Sequence, residues 1–151
     1  AKAGVGLMSG ANTREDYEAA PLPEQIVIVH NTFHDNAYHI TGGSRTLVAN
    51  NLFVGARHAA LKGVAGFSLV TANLMWANNA QTEAMAQSQR ALRKPPRFWD
   101  TNYSLHPESA AVDAGQRLVS WLGRSWELAS PAEVRGSGPD LGALERWVGN
   151  D

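Results

Sequence analysis

The 151-residue sequence contains no cysteine, which excludes disulfide bonds, thiolate metal sites and a cysteine nucleophile. It also has no excess of one charge, because 13 lysines and arginines balance 14 aspartates and glutamates to a formal net charge of −1. A nucleic-acid-binding domain usually shows a basic excess, so this balance argues against nucleic acid as a partner. Hydrophobic residues make up 44% of the chain and charged residues 18%, a composition typical of one globular domain.

Long hydrophobic runs and the common nucleotide and hydrolase motifs are lacking too. No apolar run approaches the roughly 18 residues of a membrane helix, so no membrane partner is predicted. The first residues hold no basic stretch followed by an apolar one, and we expect a secretory signal peptide to be absent or already removed. There is no Gly-x-Ser-x-Gly and no dinucleotide fingerprint. The glycine-rich segment 4–10, GVGLMSG, lacks the lysine of a phosphate-binding loop.

An internal repeat occupies the first half of the chain. Three segments align on an Asn at periods of 20 and 22 residues: QIVIVHNTF (25–33), RTLVANNLF (45–53) and FSLVTANLM (67–75). A second set lies between them: GVGLMSG (4–10), AYHITGG (37–43) and RHAALKG (57–63). The second set is interrupted after its first member by an insert over 11–24, ANTREDYEAAPLPE.

The repeat predicts stacked β-strands. Its segments are short, rich in Val, Ile, Leu, Thr and Phe, and punctuated by Gly and Asn, which is typical of strands. Two strands in about 20 residues are too few for a βαβ unit but match one turn of a parallel β-helix, an all-β solenoid. Equivalent positions would then form columns along the axis: Val27, Leu47 and Leu69; Phe33, Phe53 and Met75; and Asn31, Asn51 and Asn73. We assign the Asn column a structural role, since stacked amides bond to one another. The alternation along each strand is apolar on both sides, so either face could be the inner one.

The second half of the chain has a different character, and we divide the chain into coils over 1–80 and a C-terminal capping region over 81–151. Residues 81–94 contain helix formers ended by two prolines, which favours a short helix or an excursion from the coils. Residues 117–133 could hold one short helix, and 137–145 is predicted to form a final short strand. The five tryptophans could stack on sugar rings, but we favour core capping, because large aromatic side chains contribute much buried area.

The segment 102–115, NYSLHPESAAVDAG, resembles the closing motif of many secreted bacterial β-helix proteins, Asp-Tyr-x-Leu-x-x-x-Ser-Pro-Ala-Ile-Asp-x-Gly. The matching residues are Tyr103, Leu105, Ser109, Ala111, Asp113 and Gly115. The departures are Asn102 for Asp, Ala110 for Pro and Val112 for Ile. The segment 140–145, DLGALE, resembles the partner motif Asp-Ile-Gly-Ala-Tyr-Glu.

With its stacked repeats, the chain thus resembles the right-handed parallel β-helix proteins of the pectin-lyase-like superfamily. The resemblance implies about three to four coils and an irregular C-terminal cap. It also implies a secreted or periplasmic bacterial protein. Such proteins usually have more coils before this point, so we expect this chain to be the C-terminal part of a longer β-helix, partnered by an N-terminal segment in the same or another chain.

A weaker resemblance concerns activity. GVGLMSGANT, a long insert and then IVIVHNTF are similar to chondroitinase-B-like and alginate-lyase-like polysaccharide lyases, without a unique catalytic signature. Such enzymes cleave uronate-containing glycans by β-elimination, so the implied partner is an acidic polysaccharide. The chemistry needs a cation to neutralise the carboxylate, a base and a proton donor.

Candidates for these roles cluster in the second repeat set. By the repeat alignment, Tyr38 lies over His58 and Gly42 lies over Lys62. We predict Lys62, Arg57 and His58 as catalytic residues. We predict Tyr38, His39, Arg14 and Tyr17 as substrate-binding residues. Two alternatives remain open: an ordinary solvated face, since surface charges are the default, and an internal, hydrogen-bonded position for His58.

Metal binding has little support. Glu15, Asp16 and Glu18 in the insert could bind calcium, but they match no regular calcium loop and equally suit an exposed acidic loop. His30 and His34 have a spacing that suits zinc only on a helix. No metal site is therefore predicted, and calcium stays open as a cofactor.

Two classes of function follow. The first is a carbohydrate-active enzyme, a polysaccharide lyase or part of one. The second is a non-catalytic β-helix segment that caps the fold, binds glycan or mediates assembly. A glycoside hydrolase is disfavoured, because it needs paired carboxylates and the aligned positions contain no such pair.

Overall fold

The computed structural model describes residues 5–6, 25–64, 66–83 and 89–144. These residues form an all-β structure without a helix. The strands are β1 (Val5–Gly6), β2 (Ile26–Val29), β3 (Thr32–His34), β4 (Tyr38–Thr41), β5 (Thr46–Ala49), β6 (Leu52–Val54), β7 (Ala59–Lys62), β8 (Leu69–Thr71), β9 (Leu74–Trp76), β10 (Ala80–Glu83), β11 (Leu118–Trp121) and β12 (Arg124–Glu127).

Ten of these strands form three parallel sheets in which each strand pairs with the strand three elements further along the chain. The sheet orders are β2-β5-β8, β3-β6-β9 and β1-β4-β7-β10. The registers pair Val27 with Leu47 and Leu69. They also pair Phe33 with Phe53 and Met75. Both apolar columns predicted from the repeat are therefore confirmed.

Each repeat contains three strands, and the prediction of two was too few. The segment expected to be one strand over 25–33 is divided into β2 and β3 by His30, whose φ is 53°. Asn50 and Ala72 have φ values of 57° and 51° at the equivalent positions. A left-handed residue turns the chain sharply, so the backbone bends between the strands and begins a new sheet.

The Asn column follows this bend and holds neighbouring repeats together. The backbone N–H groups of Asn31 and Asn51 donate to the side-chain oxygens of Asn51 and Asn73 respectively, both at 2.9 Å. The Asn51 amide also donates to the carbonyls of Ile28 and Ala49, each at 2.9 Å. Asn51 and Asn73 are fully buried, so these bonds satisfy groups that water cannot reach. The predicted structural role of the column is confirmed.

The core between the sheets is aliphatic and aromatic. It contains Ile28, Val48 and Val70 from one sheet, Phe33, Phe53 and Met75 from the second, and Ile40, Ala60 and Leu61 from the third. The Phe33 and Phe53 rings stack with centroids 5.1 Å apart. The sequence left the inner face open, and the structure shows that it carries Ile28, Val48 and Val70.

The outer faces of two sheets are covered by the C-terminal region, which explains why both faces read as apolar. Leu47 and Ala49 pack against Val119 and Trp121 of the β11–β12 hairpin. Leu52 and Leu74 pack in a second cluster with Leu105, Ala111 and Leu141. Val27 is the first described member of its column and is 40% exposed, whereas Leu47 is completely buried.

The C-terminal predictions need correction. Residues 117–133 contain the antiparallel hairpin β11–β12 and no helix. The described part of 81–94 extends the stacks through β10 and through bridges from Gln89 to Thr71 and from Leu92 to Leu74, so the helix interpretation fails there. The described part of 137–145 forms no strand. Tertiary contacts decided these segments, since a short amphipathic pattern does not fix its own secondary structure.

The two segments that carry the resemblance to closing motifs, 102–115 and 140–145, contact each other. The backbone N–H of Asp113 donates to the Asp140 carboxylate at 2.7 Å. The N–H of Leu141 donates to the Ala111 carbonyl at 2.9 Å. The motifs therefore clamp onto each other over the outer face of the β3-β6-β9 sheet.

Candidate functional site

Three of the predicted site residues come together on β4, on β7 and at the corner that precedes β7. The Lys62 ammonium lies 3.5 Å from the Tyr38 hydroxyl and 4.7 Å from the centre of the Tyr38 ring. The His58 ring centroid is 5.1 Å from that of Tyr38. Tyr38 is half-buried, whereas His58 and Lys62 are exposed. We call Tyr38, His58 and Lys62 the surface triad.

The register that builds the triad is offset by one residue from the repeat alignment. The alignment places Tyr38 over His58, but the Cα partner of Tyr38 is Ala59. Four residues separate β6 from β7, whereas three separate β3 from β4. The extra residue shifts the register, and His58 then approaches Tyr38 from the corner preceding β7.

The other predicted residues are placed differently. Arg57 is exposed and precedes His58 at the same corner, where its backbone N–H donates to the Asn36 carbonyl at 2.9 Å. Arg14 and Tyr17 lie outside the described residues, as do the acidic residues of the insert. His39 is fully buried and lies beside the rings of Phe33 and Phe53, with centroid separations of 5.9 and 5.6 Å. A side chain enclosed in this way does not reach a polymer on the outer surface.

The internal histidine is thus His39, whereas the sequence raised that possibility for His58. Its Nε2 lies 3.0 Å from the Asn78 side-chain oxygen and its Nδ1 lies 3.1 Å from the Asn36 amide nitrogen. The Asn78 oxygen also accepts from the N–H of Ala56, which fixes the amide orientation. Nε2 therefore donates and Nδ1 accepts, as in a neutral ring. Burial lowers the pKa of His39 from 6.5 to about 4.

A second Asn column explains this arrangement and was missed in the sequence. Asn36, Ala56 and Asn78 follow the left-handed residues Asp35, Gly55 and Ala77, in the same way that the first column follows its bend. Asn78 repeats the bonds of that column by donating to the Phe53 carbonyl at 2.9 Å. Ala56 carries no amide, and the His39 ring bridges the two outer asparagines instead. Asn36 and Asn78 follow Asn31 and Asn73 of the first column at the same spacing. That shared spacing was the sequence signal that could have revealed the second column.

Aromatic side chains also gather beside the β3-β6-β9 sheet. The Tyr103 hydroxyl lies 3.2 Å from Nδ1 of His34, and the Phe98 ring meets Tyr103 edge-on at 5.5 Å.

Trp121 is buried and donates to the Phe67 carbonyl at 2.8 Å, as expected for a capping tryptophan. Trp99, in contrast, is 64% exposed.

The described residues contain neither a metal-binding cluster nor a membrane-spanning helix. Among them, no three His, Asp or Glu side chains gather closely enough to hold a metal ion. No helix long and apolar enough to span a bilayer occurs in that part of the chain. Comparison with family models, curated proteins and solved structures found no match to this chain.

Proposed function

We propose that the stacked sheets form a right-handed parallel β-helix of the pectin-lyase-like type. The support is the repeated order of three strands, their parallel pairing at 20 to 22 residues, and the Asn column at one bend. The clamp between the two closing motifs adds support, because it unites both segments that carried the resemblance.

We further propose that the protein is a polysaccharide lyase, or part of one, that cleaves an acidic uronate-containing glycan. The observation that carries this proposal is the surface triad, in which the Tyr38 phenol contacts both the Lys62 ammonium and the His58 imidazole. A glycan lying across β4 and β7 would meet all three groups. A secreted or periplasmic location would suit such a substrate.

The triad can serve a β-elimination. Lys62, together with Arg57, would neutralise the uronate carboxylate and make the proton at the adjacent carbon more acidic. His58 would remove that proton as the base. The released electron pair would form the carbon–carbon double bond as the bond to the 4-linked oxygen breaks. Tyr38 would give its proton to the leaving oxygen, and the neighbouring ammonium of Lys62 would stabilise the phenolate.

The first test is ultraviolet absorbance during incubation with alginate, pectate and chondroitin sulfate. Elimination creates a conjugated double bond that absorbs, whereas hydrolysis does not. We expect a rise with at least one substrate, and a loss of about 100-fold or more in Lys62→Ala and His58→Ala. Lys94→Ala removes another exposed lysine and should leave the rate unchanged. An unchanged rate in Lys62→Ala, or no rise on any substrate, would refute the proposed reaction.

A second candidate function is a non-catalytic segment that caps the β-helix, binds glycan or assembles with an N-terminal part. The observation that favours it is the exposure of Val27, the first described member of a column whose next member, Leu47, is completely buried. An apolar edge of this kind suits the stacking of a further strand. Such a protein would bind acidic glycan without changing its absorbance.

A further inference from the structure

A cavity lies on a different side of the molecule from the surface triad. Its volume is about 460 Å³, which is within the usual range for small-molecule sites. It opens between the bend at His30, which joins β2 to β3, and the C-terminal segment after β12. Its lining includes His30, Ala129, Ala132, Glu133, Arg135 and Pro139.

The Glu133 carboxylate of this cavity is held in place before any ligand arrives. Oε2 of Glu133 accepts from both the N–H and the hydroxyl of Ser130, each at 2.8 Å. The Glu133 N–H donates back to the Ser130 carbonyl at 3.1 Å, which closes the turn. These bonds engage Oε2 and leave Oε1 as an acceptor. A fixed acceptor costs little ordering entropy on binding.

His30 is oriented from behind by the amide of Asn50. That amide donates to the Gln116 carbonyl at 2.8 Å, while its oxygen accepts from the Gln116 N–H at 2.9 Å. Its nitrogen also lies 3.2 Å from Nε2 of His30, so Nε2 accepts this bond. Burial lowers the pKa of His30, which favours the uncharged ring.

Arg135 is the cation among the lining residues. In the described part of the chain its guanidinium has no hydrogen-bond or ion-pair partner. A guanidinium recognises a carboxylate with two parallel hydrogen bonds. The Glu133 carboxylate also lines the cavity and repels anions. The cavity therefore favours a ligand with one negative charge over a doubly charged phosphate. The small side chains of Ala129, Ala132 and Pro139 leave room for a ring with C–H faces.

We propose that this cavity binds a small monocarboxylate that carries hydroxyl groups, of the sugar-acid class. Arg135 holds the carboxylate, Glu133 accepts from hydroxyls, and the alanine and proline wall contacts the ring. The site does not depend on the proposed elimination at Lys62, since it is built from other parts of the fold.

Calorimetric titration with sodium glucuronate tests the proposal, with glucose as the uncharged match. We expect glucuronate to bind at least about tenfold more tightly than glucose, and Arg135→Gln to weaken glucuronate binding by about tenfold or more. Arg93→Gln removes an exposed arginine outside the cavity and should bind as the wild type does. Thermal unfolding of both variants checks that the fold is retained.

Three results would overturn the proposal: no binding of glucuronate at concentrations on the order of 10 mM, equal binding by Arg135→Gln, or tighter binding of inorganic phosphate.

The variant Lys62→Ala separates the cavity from the surface triad. Glucuronate binding that survives Lys62→Ala but not Arg135→Gln supports the cavity whether or not the lyase activity exists. The reverse pattern would assign the ligand to the surface triad and refute the cavity site.

Discussion

His39 is a buried titratable group whose environment stabilises its neutral form. Both ring nitrogens are hydrogen-bonded to asparagine amides, and a proton on Nδ1 would remove the bond from Asn36. Burial lowers the pKa from 6.5 to about 4. Between these values the unfolded chain binds a proton that the folded chain does not, so stability falls as pH falls through this window.

We therefore expect the free energy of unfolding to decrease by up to about 3 kcal/mol between pH 7 and pH 4 on account of His39. His39→Gln keeps a hydrogen-bonding side chain without a charge change, and it should flatten this dependence. Urea unfolding at several pH values measures both proteins. The lowered pKa of His30 acts in the same direction, so the difference between the two curves isolates His39. Parallel curves would contradict the assignment.

At the scale of elements, the β11–β12 hairpin is a cover for the β2-β5-β8 sheet. Trp121 is 6% exposed, packs with Leu47 and Ala49, and donates to the Phe67 carbonyl. Leu118 begins the same strand but is 55% exposed. The strand therefore has one buried face and one solvated face, as period-two alternation requires.

Trp121→Ala should lower the free energy of unfolding by about 3–5 kcal/mol, because it removes a large buried side chain. Leu118→Ala, on the solvated face, should change it by less than about 0.5 kcal/mol. Chemical denaturation of the two variants provides the comparison. Equal losses would show that the hairpin does not support the sheet through its inner face.

The side-chain columns were easier to predict from the sequence than the bends between the strands. The columns followed from the 20-residue and 22-residue periods, because a parallel stack repeats its side chains in register. The bends were harder to predict, because left-handed backbone occurs at Gln25, Arg45 and Phe67 as well as at Ala72. None of these side chains favours that geometry, so the repeat as a whole imposes it.

The candidate site was predicted from the sequence only in part. Tyr38, His58 and Lys62 were predicted together, since the alignment of adjacent repeats places them near one another. The burial of His39 was not predicted, because it depends on an alanine at position 56 in the second Asn column. The cavity at His30 was missed for a different reason. It forms between segments about 100 residues apart in sequence, and no local pattern specifies such a contact.

At the scale of the whole molecule, the C-terminal segment is hydrogen-bonded to the stacked strands at Gly142. Its N–H donates to the Asn50 carbonyl at 2.9 Å, and the next residue donates to the Thr32 hydroxyl at 3.1 Å. Its φ is 99°, and an added Cβ would lie 2.7 Å from Cδ1 of Leu52. Only glycine satisfies both the backbone conformation and the close approach.

Gly142→Ala should therefore cost about 2–4 kcal/mol of unfolding free energy, from backbone strain and from displacement off the sheet. Gly123 provides a matched control, because its φ is 73° but nothing lies within 4 Å of an added Cβ. Gly123→Ala should cost only about 1–2 kcal/mol, the strain alone. Hydrogen exchange separates the two effects, since the amides of residues 141–143 should exchange faster in Gly142→Ala and not in Gly123→Ala. Faster exchange in both variants would mean that the C-terminal segment responds to general destabilisation and is not held at Gly142.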